Sequence, residues 1–218
     1  MIIPIHPVTP EERNISIIRQ RLLAGDVMLY PTDTGMALGC TLRNKQAIER
    51  IRRIRSMPMW KSMTFLCKDI SNIAEFAKVS NPAYRLIKRL IPGPYTFILP
   101  ATKAVPAYAH DEKRKTVGIR VPDAIVPQAI LEAIGEPLIS ITAKDSNENE
   151  FATPEAAIEA LGSMVDVTVT LERFSWMNDE PFAGMSTIIN ATTDEFSILR
   201  EGAGIEAALE ILGESAYL

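Results

Sequence analysis

Short apolar runs alternate with helical patterns along the whole chain, and this alternation constrains its fold more than any other feature. Helical spacing of apolar residues predicts helices over residues 10–24, 44–56, 70–78, 81–91, 125–134 and 154–161. Buried runs predict strands over 27–30, 64–67, 95–99, 117–121, 138–141, 165–169, 187–190 and 197–199. Because strands and helices alternate, the sequence predicts an α/β architecture with a mixed sheet.

Composition excludes several classes of protein. The 218 residues are 47% hydrophobic, which suffices for the core of one domain or of two small ones. No stretch approaches the roughly 20 apolar residues that cross a bilayer, and the N-terminus lacks a signal peptide pattern. We therefore expect a cytoplasmic protein with no membrane partner. Cys40 and Cys67 each lie in an apolar run, which indicates buried, reduced thiols and no metal site.

Charge is divided unevenly along the chain. Residues 1–120 hold 20 basic and 9 acidic residues, which gives 20 − 9 = +11, and residues 121–218 hold 3 and 18, which gives 3 − 18 = −15. Two interpretations stay open: the halves lie side by side and neutralise each other, or the basic half forms a site for a polyanion. The second would use clusters such as Arg50, Arg52, Arg53 and Arg55, since guanidinium groups bind phosphate in a bidentate manner.

Two familiar nucleotide motifs do not account for this sequence. The run 202–207 (GAGIEA) matches G-x-G-x-x-A after a strand, but only 14 residues follow Gly204, too few for the rest of a dinucleotide-binding unit. We interpret it as a glycine-rich bend. No G-x-x-x-x-G-K-[ST] sequence occurs, so any ATP site is not a P-loop.

Polar side chains in four segments are candidates for a site. The segment 30–35 (YPTDTG) presents two hydroxyls and a carboxylate where a strand ends, either as part of a site or as a capped turn. Arg120 lies within an apolar strand and needs an anion, either a ligand or a carboxylate of the acidic C-terminal half. Ser140 and Thr142 share one face of a strand. The polar segment 144–153 is predicted to be a mobile edge of the site.

Six motifs carry a resemblance to a known family. In chain order over about residues 12–203 they are YPTDTGMALGC, RIRSMP, PGPYTFILP, TVGIRVP, PLISITAK, and STIIN followed by ILREG. Together they resemble the YrdC-like family, and PTDTGMALGC, RIRSMP and EKRKTVGIRVP are most similar to its YciO branch. The resemblance implies a single domain over 1–218, with a twisted mixed sheet, flanking helices and a positively charged concave cavity.

The resemblance also implies an activity. Well-understood members of the family are L-threonylcarbamoyladenylate synthases, nucleotidyltransferases that convert L-threonine, bicarbonate and ATP into threonylcarbamoyl-AMP and pyrophosphate for modification of adenosine in tRNA. Such a reaction depends on positioning and on neutralising a triphosphate, so no covalent nucleophile is expected. Mg²⁺ is expected to bridge the phosphates, with few dedicated protein ligands.

The resemblance also implies which residues form the site, from their positions in the matching motifs. Thr34, Arg120 and Ser140 would hold threonine, with Arg120 on its carboxylate. The residues that would line the ATP side are Arg55, Lys61, Thr116, Thr142, Lys144, Ser186 and Arg200.

Two positions depart from the family pattern. Its Lys-x-Arg is Arg55-Ser56-Met57 here, and its Ser-x-Asn is Thr142-Ala143-Lys144. The sequence interpretation places both departures on the phosphate site, where Met57 offers no donor and Lys144 has a different reach.

Two other functions stay open. The chain could be a non-catalytic protein that binds tRNA or double-stranded RNA in the same cavity, with an affinity that falls steeply with salt. The basic half favours this function, and the net charge of −4 weighs against broad affinity. Alternatively, the chain could adenylate another small carboxylic acid.

Overall fold

A computed structural model describes residues 1–58, 63–109, 115–172 and 182–213. Ten strands in these ranges form one sheet: β1 (Ile2–Ile5), β2 (Met28–Pro31), β3 (Met36–Thr41), β4 (Thr64–Leu66), β5 (Tyr95–Pro100), β6 (Thr116–Arg120), β7 (Leu138–Thr142), β8 (Val167–Leu171), β9 (Thr187–Asn190) and β10 (Ser197–Arg200). The α-helices are α1 (Glu12–Leu23), α2 (Lys45–Ile54), α3 (Ile70–Phe76), α4 (Asn81–Leu90), α5 (Ile125–Ile134), α6 (Pro154–Leu161) and α7 (Ile205–Leu212).

The sheet is mixed, which confirms the predicted α/β architecture. Its spatial order is β1-β8-β2-β3-β7-β4-β6-β5-β9-β10. The pairs β1/β8, β2/β8, β4/β6 and β5/β9 are parallel. The pairs β2/β3, β3/β7, β4/β7, β5/β6 and β9/β10 are antiparallel. Two strands from the second half of the chain, β8 and β7, therefore lie between strands of the first half.

Helix α2 brings the first arginine cluster to the sheet. The Asn44 side chain accepts a hydrogen bond from the Ala47 N–H at 2.9 Å and begins the helix, as an N-cap does. Ile48 and Ile51 are buried, and the helix ends just before Arg55. The C-terminal end of α2 thus places Arg55 beside the sheet.

Helix α4 begins one residue earlier than an Asn-Pro start at the predicted range 81–91 implies, with Asn81 as N-cap. The Ser80 hydroxyl accepts the capping hydrogen bond from the Ala83 N–H at 3.3 Å. Asn81 and Pro82 therefore occupy the first two positions of the helix, where the missing N–H of proline leaves no donor unsatisfied.

Strands β1 and β3 were not among the predicted elements. All six residues of β3 are buried, so the strand lacks the alternation of apolar and polar residues that marks a half-exposed strand. It also follows directly on a turn that the sequence interpretation treated as the end of a strand. The missed β3 is central to the site because it lies between β2 and β7.

The core consists of two clusters of buried apolar side chains. The larger contains Phe65 and Phe97, and the smaller contains Ile18 and Tyr30. Cys40 and Cys67 are buried free thiols, as predicted, and burial raises the pKa of Cys40 to about 12. No helix among the described residues is long and apolar enough to span a membrane.

Ion pairs join the basic half of the chain to the acidic half. Four such pairs are Arg43–Glu136, Arg50–Asp166, Arg55–Glu148 and Lys68–Glu132. The two halves therefore lie side by side, and these pairs offset part of the positive charge of the basic half. Within the arginine cluster, Arg52 and Arg55 are buried whereas Arg53 is exposed.

Candidate functional site

A polar cavity of about 210 Å³ opens on the central strands of the sheet. Within the described part of the chain, four basic side chains line it, from Arg55, Arg120, Lys144 and Arg200, together with one carboxylate, that of Glu148. Hydroxyl groups of several threonines and serines complete much of the polar lining. Among the described residues, the cavity lining is therefore cationic and suited to an anionic ligand.

Arg120 occupies the end of β6 and is almost fully buried. Its Nη1 donates to Thr34 Oγ1 at 2.7 Å, and its Nη2 donates to Asp33 Oδ1 at 2.5 Å. The Nε is buried and has no hydrogen-bond partner within the described ranges. The anion on Arg120 is thus Asp33, in the turn after β2, whereas the sequence analysis considered a ligand or a C-terminal carboxylate.

The turn between β2 and β3 holds Thr34 against Arg120. The Thr32 N–H and Thr32 Oγ1 both donate to the Gly35 carbonyl, at 2.9 and 2.7 Å, and the Thr34 N–H donates to Thr32 Oγ1 at 3.2 Å. Gly35 has a φ of 148°, which favours glycine. The two alternatives for segment 30–35 are therefore compatible: a capped turn also supplies a cavity side chain.

Ser140 is positioned by a tyrosine that reaches across a neighbouring strand. Tyr30 on β2 and Ser140 on β7 share a hydrogen bond of 2.7 Å, although β3 lies between their strands. A Cβ on Gly39 of β3 would stand 2.8 Å from the Tyr30 ring, so only glycine leaves room for this arrangement. Burial raises the pKa of Tyr30 to about 12, so the phenol stays protonated near neutral pH.

Tyr30→Phe should therefore show a stability difference that depends on pH. At pH 8 we expect the variant to be less stable by about 1 kcal/mol, because one buried hydrogen bond is lost. In the wild type, an unfolded tyrosine ionises near pH 10 and the folded one near pH 12, so its free energy of unfolding falls between these values. The variant lacks this decline, and the difference should vanish near pH ~11. Urea unfolding at several pH values measures it, and a constant difference would contradict the assignment.

Ser186 and Arg200 form another part of the cavity wall. Arg200 Nε and Nη2 donate to the Ser186 carbonyl at 3.1 and 2.8 Å, and Nη2 also donates to Ser186 Oγ at 3.1 Å. Ser186 Oγ lies 2.9 Å from Thr96 Oγ1 on β5. Gly202 lies directly against this wall, where its α-carbon faces the Met185 and Ser186 backbone. This packing explains the glycine-rich bend without a nucleotide-binding loop.

Arg55 lies at the third side of the cavity. Its Nε donates to the Thr142 carbonyl at 3.0 Å, and its two terminal nitrogens donate to the Glu148 carboxylate at 2.8 and 3.2 Å. Met57, two residues later, is packed in the apolar core and does not line the cavity. The sequence interpretation that put this departure on the phosphate site is therefore wrong for Met57, while Lys144 does line the cavity.

Residues 144–150 form a compact turn at the edge of the cavity. Asp145 Oδ1 accepts hydrogen bonds from the Asn147 and Asn149 N–H groups, both at 2.8 Å. The backbone hydrogen bonds, first that of Asn149, lower the pKa of Asp145 below its usual value. The backbones of Lys144 and Glu150 form an isolated antiparallel β-bridge across the base of the turn. The predicted position of segment 144–153 at the edge of the site is confirmed. Hydrogen bonds within the turn hold its backbone.

A second cavity of about 250 Å³ adjoins the first and shares Thr34, Gly35, Met36 and Thr142 with it. Glu150 lines this second space, and its Oε1 is buried with no hydrogen-bond partner among the residues described. Burial raises the pKa of Glu150, although the charges of Lys144 and Arg200 act in the opposite direction.

Most of the sequence-predicted site residues meet in the first cavity. Its lining contains Thr34, Arg55, Arg120, Ser140, Thr142, Lys144, Ser186 and Arg200. Thr116 is not part of that lining, since it lies at the far end of β6, paired with Pro100 at the edge of the strand. Lys61 lies outside the described residues. In the described ranges, no group of three or more His, Cys, Asp or Glu side chains is arranged to hold a metal ion.

The sequence does not mark four further side chains in or beside the cavity as site residues. Thr64 and Thr96 line the cavity from β4 and β5, and their polar character within apolar strands was a usable signal. The role of Tyr30 and the approach of Glu148 had no local signal, because each depends on a partner about a hundred residues away.

A family model and two curated proteins are similar to this chain over most of its length. The family model Sua5_yciO_yrdC, described as "Telomere recombination", matches residues 20–202. The uncharacterized protein YciO of Escherichia coli K12 is 40% identical over 201 residues, which cover 92% of this chain and 94% of that protein. A threonylcarbamoyl-AMP synthase of Vibrio vulnificus is 31% identical over 157 residues, covering 71% of this chain and 84% of the synthase.

Solved structures match over nearly the whole chain. The crystal structure of E. coli YciO has a TM-score of 0.83 and 39% identity, covering 94% of this chain and 96% of that one. The structure of P. abyssi Sua5 complexed with L-threonine has a TM-score of 0.87 and 23% identity, covering 100% of this chain and 62% of that one. At this identity, the Sua5 structure supports the fold alone.

Proposed function

The chain belongs to the Sua5/YciO/YrdC family, and from that premise we propose that it is an ATP-dependent L-threonylcarbamoyladenylate synthase-like enzyme of tRNA modification. The observation that carries the proposal is the Arg120–Thr34 pair in a cationic cavity, with the buried Nε of Arg120 left without a hydrogen-bond partner among the described residues. The similarity to a threonylcarbamoyl-AMP synthase over 71% of this chain supports the same reaction.

The Arg120 side of the cavity suits the amino acid. A guanidinium group offers a carboxylate charge-assisted hydrogen bonds in a fixed geometry, and Asp33 holds this guanidinium in place. Thr34 and Ser140 add hydroxyl groups that can donate or accept hydrogen bonds. We assign the carboxylate of L-threonine to Arg120, with Thr34 and Ser140 beside it.

The remaining basic and hydroxyl side chains of the lining suit a triphosphate. Arg55, Lys144 and Arg200 provide positive charge, while Thr142 and Ser186 provide hydroxyl groups. Mg²⁺ bound to the phosphates would neutralise part of their charge. The family position Thr116 lies away from the cavity lining, so we leave it out of the nucleotide site.

In the proposed reaction, the amino nitrogen of threonine bonds to the carbon of bicarbonate, and water leaves. An oxygen of the resulting carbamate then bonds to the α-phosphorus of ATP, and the bond to pyrophosphate breaks. This chemistry requires the chain to orient the reactants and stabilise negative charge, and the basic lining suits both tasks.

The test is a reaction with purified full-length protein, L-threonine, bicarbonate and ATP with Mg²⁺. We expect pyrophosphate release that requires all three substrates, and a product with the mass of threonylcarbamoyl-AMP. Pyrophosphate release that does not depend on threonine but does depend on another small carboxylic acid would redirect the assignment to that acid. No release above a control without protein would contradict the proposal.

RNA binding without catalysis has less support. Arg43, Arg50 and Lys68 of the basic half each form an ion pair with a carboxylate of the acidic half. These three side chains therefore add less net positive charge to the surface than the charge count of the basic half implies.

A further inference from the structure

We propose that Glu148 is an internal competitor for phosphate at Arg55, and that it sets the affinity and selectivity of the cavity for anions. This inference rests on the proposed function, because it assumes that the cavity receives a polyphosphate. It concerns a residue outside the family motifs noted above. Two independent observations carry it, one on the arginine and one on the glutamate.

The first observation is the geometry around Arg55. The guanidinium uses one nitrogen on the Thr142 carbonyl and both remaining nitrogens on the two Glu148 oxygens, at 2.8 and 3.2 Å. Phosphate binds arginine through the same two-pronged arrangement. The carboxylate of Glu148 therefore occupies the position where a phosphate group would bind.

The second observation is the unequal burial of the two partners. The Arg55 side chain is only 3% exposed, whereas the Glu148 side chain is 53% exposed. Glu148 can return to water at little cost, but a buried guanidinium without an anion is strongly unfavourable. Arg55 therefore needs an anion at all times, and Glu148 supplies one that a ligand can replace.

The backbone at Glu148 supports this exchange. Its φ is 64°, a left-handed conformation that costs a residue with a side chain roughly 1–2 kcal/mol. The hydrogen bonds of Asp145 hold the turn, and the ion pair with Arg55 offsets the cost at its tip. When phosphate takes the guanidinium, Glu148 loses its two hydrogen bonds with Arg55.

Replacement of the Glu148 carboxylate by a ligand also predicts which anions the cavity prefers. A singly charged anion must displace a carboxylate of equal charge and gains little. A polyphosphate reaches Arg55 and can also interact with Lys144 and Arg200, so it can displace Glu148. The competitor therefore favours polyphosphates over small monovalent anions.

Calorimetric titration of the full-length protein with inorganic tripolyphosphate tests the proposal without nucleotide or threonine. We expect Glu148→Gln to bind about three- to fivefold more tightly than the wild type, consistent with removing one partly exposed ion pair. Glu159→Gln is the matched control, because it removes the same charge from an exposed position on α6, and its affinity should equal that of the wild type. Arg55→Gln should weaken binding and abolish the advantage of Glu148→Gln in the double variant.

Amide hydrogen exchange provides a second readout that does not require Arg55→Gln to fold. Tripolyphosphate should accelerate exchange at residues 147–149 in the wild type, and Glu148→Gln should exchange fast there without ligand. Equal affinities of Glu148→Gln and wild type, or exchange that ligand does not change, would overturn the inference. Tripolyphosphate results as expected with no threonylcarbamoyl-AMP formed would leave the inference standing and refute only the proposed reaction.

Discussion

Replacement of Arg120 by glutamine is expected to reduce threonine-dependent pyrophosphate release at least about 100-fold, because the charged hydrogen bonds to the substrate carboxylate are lost. The same change should lower the free energy of unfolding by about 3 kcal/mol. Arg120 is 9% exposed and Asp33 13% exposed, so the variant leaves a largely buried carboxylate without its cation. Urea unfolding and a pyrophosphate assay measure the two effects.

A double variant separates binding from stability. Asp33→Asn removes the unpaired charge, so the pair Asp33→Asn and Arg120→Gln should recover much of the stability that Arg120→Gln loses. Threonine-dependent activity should not return, since the group that binds the carboxylate is still absent. Recovery of activity together with stability would show that Arg120 acts only as a structural partner of Asp33.

Gly202→Ala is expected to destabilise the protein by about 3 kcal/mol or more. A Cβ at this position would lie 2.7 Å from the Ser186 carbonyl carbon and closer still to the Met185 carbonyl oxygen. These are backbone atoms, which cannot rotate away as the end of a side chain can. The backbone would have to separate here, which would also displace the Ser186 carbonyl from Arg200.

Gly162→Ala is the matched control for this change. Gly162 has a φ of −60°, and its nearest neighbour would be 3.6 Å from the added Cβ, so the change should alter stability by less than about 1 kcal/mol. Thermal unfolding of both variants gives the comparison. Similar losses at the two positions would contradict the close approach of Gly202 to the Met185–Ser186 backbone.

Local patterns were sufficient to predict most elements of this fold. Helices α5 and α6 match the predicted ranges, because apolar spacing and a proline or glycine mark their ends. Strand β3 was missed although it is as fully buried as β2, because Gly39 interrupts its apolar run and the strand follows directly on the turn at 32–35.

Part of the candidate site could also be predicted from local sequence patterns. Arg120, Ser140 and Thr142 are conspicuous as polar residues within buried strands, and all three line the cavity. Their partners were not predictable, because the bond from Arg120 to Asp33 spans 87 residues and that from Arg55 to Glu148 spans 93. A sequence pattern covers only neighbouring positions, whereas these pairs depend on the strand order.

The strand order has a consequence for how the chain is made. Strand β7 lies between β3 and β4, and β8 lies between β1 and β2, so the first 120 residues cannot form a continuous sheet by themselves. During synthesis, this strongly basic half must wait for the acidic half that supplies both its missing strands and its counter-charges. Closing such distant pairs is entropically costly and slow. The basic half therefore leaves the ribosome before the strands and carboxylates that complete it exist.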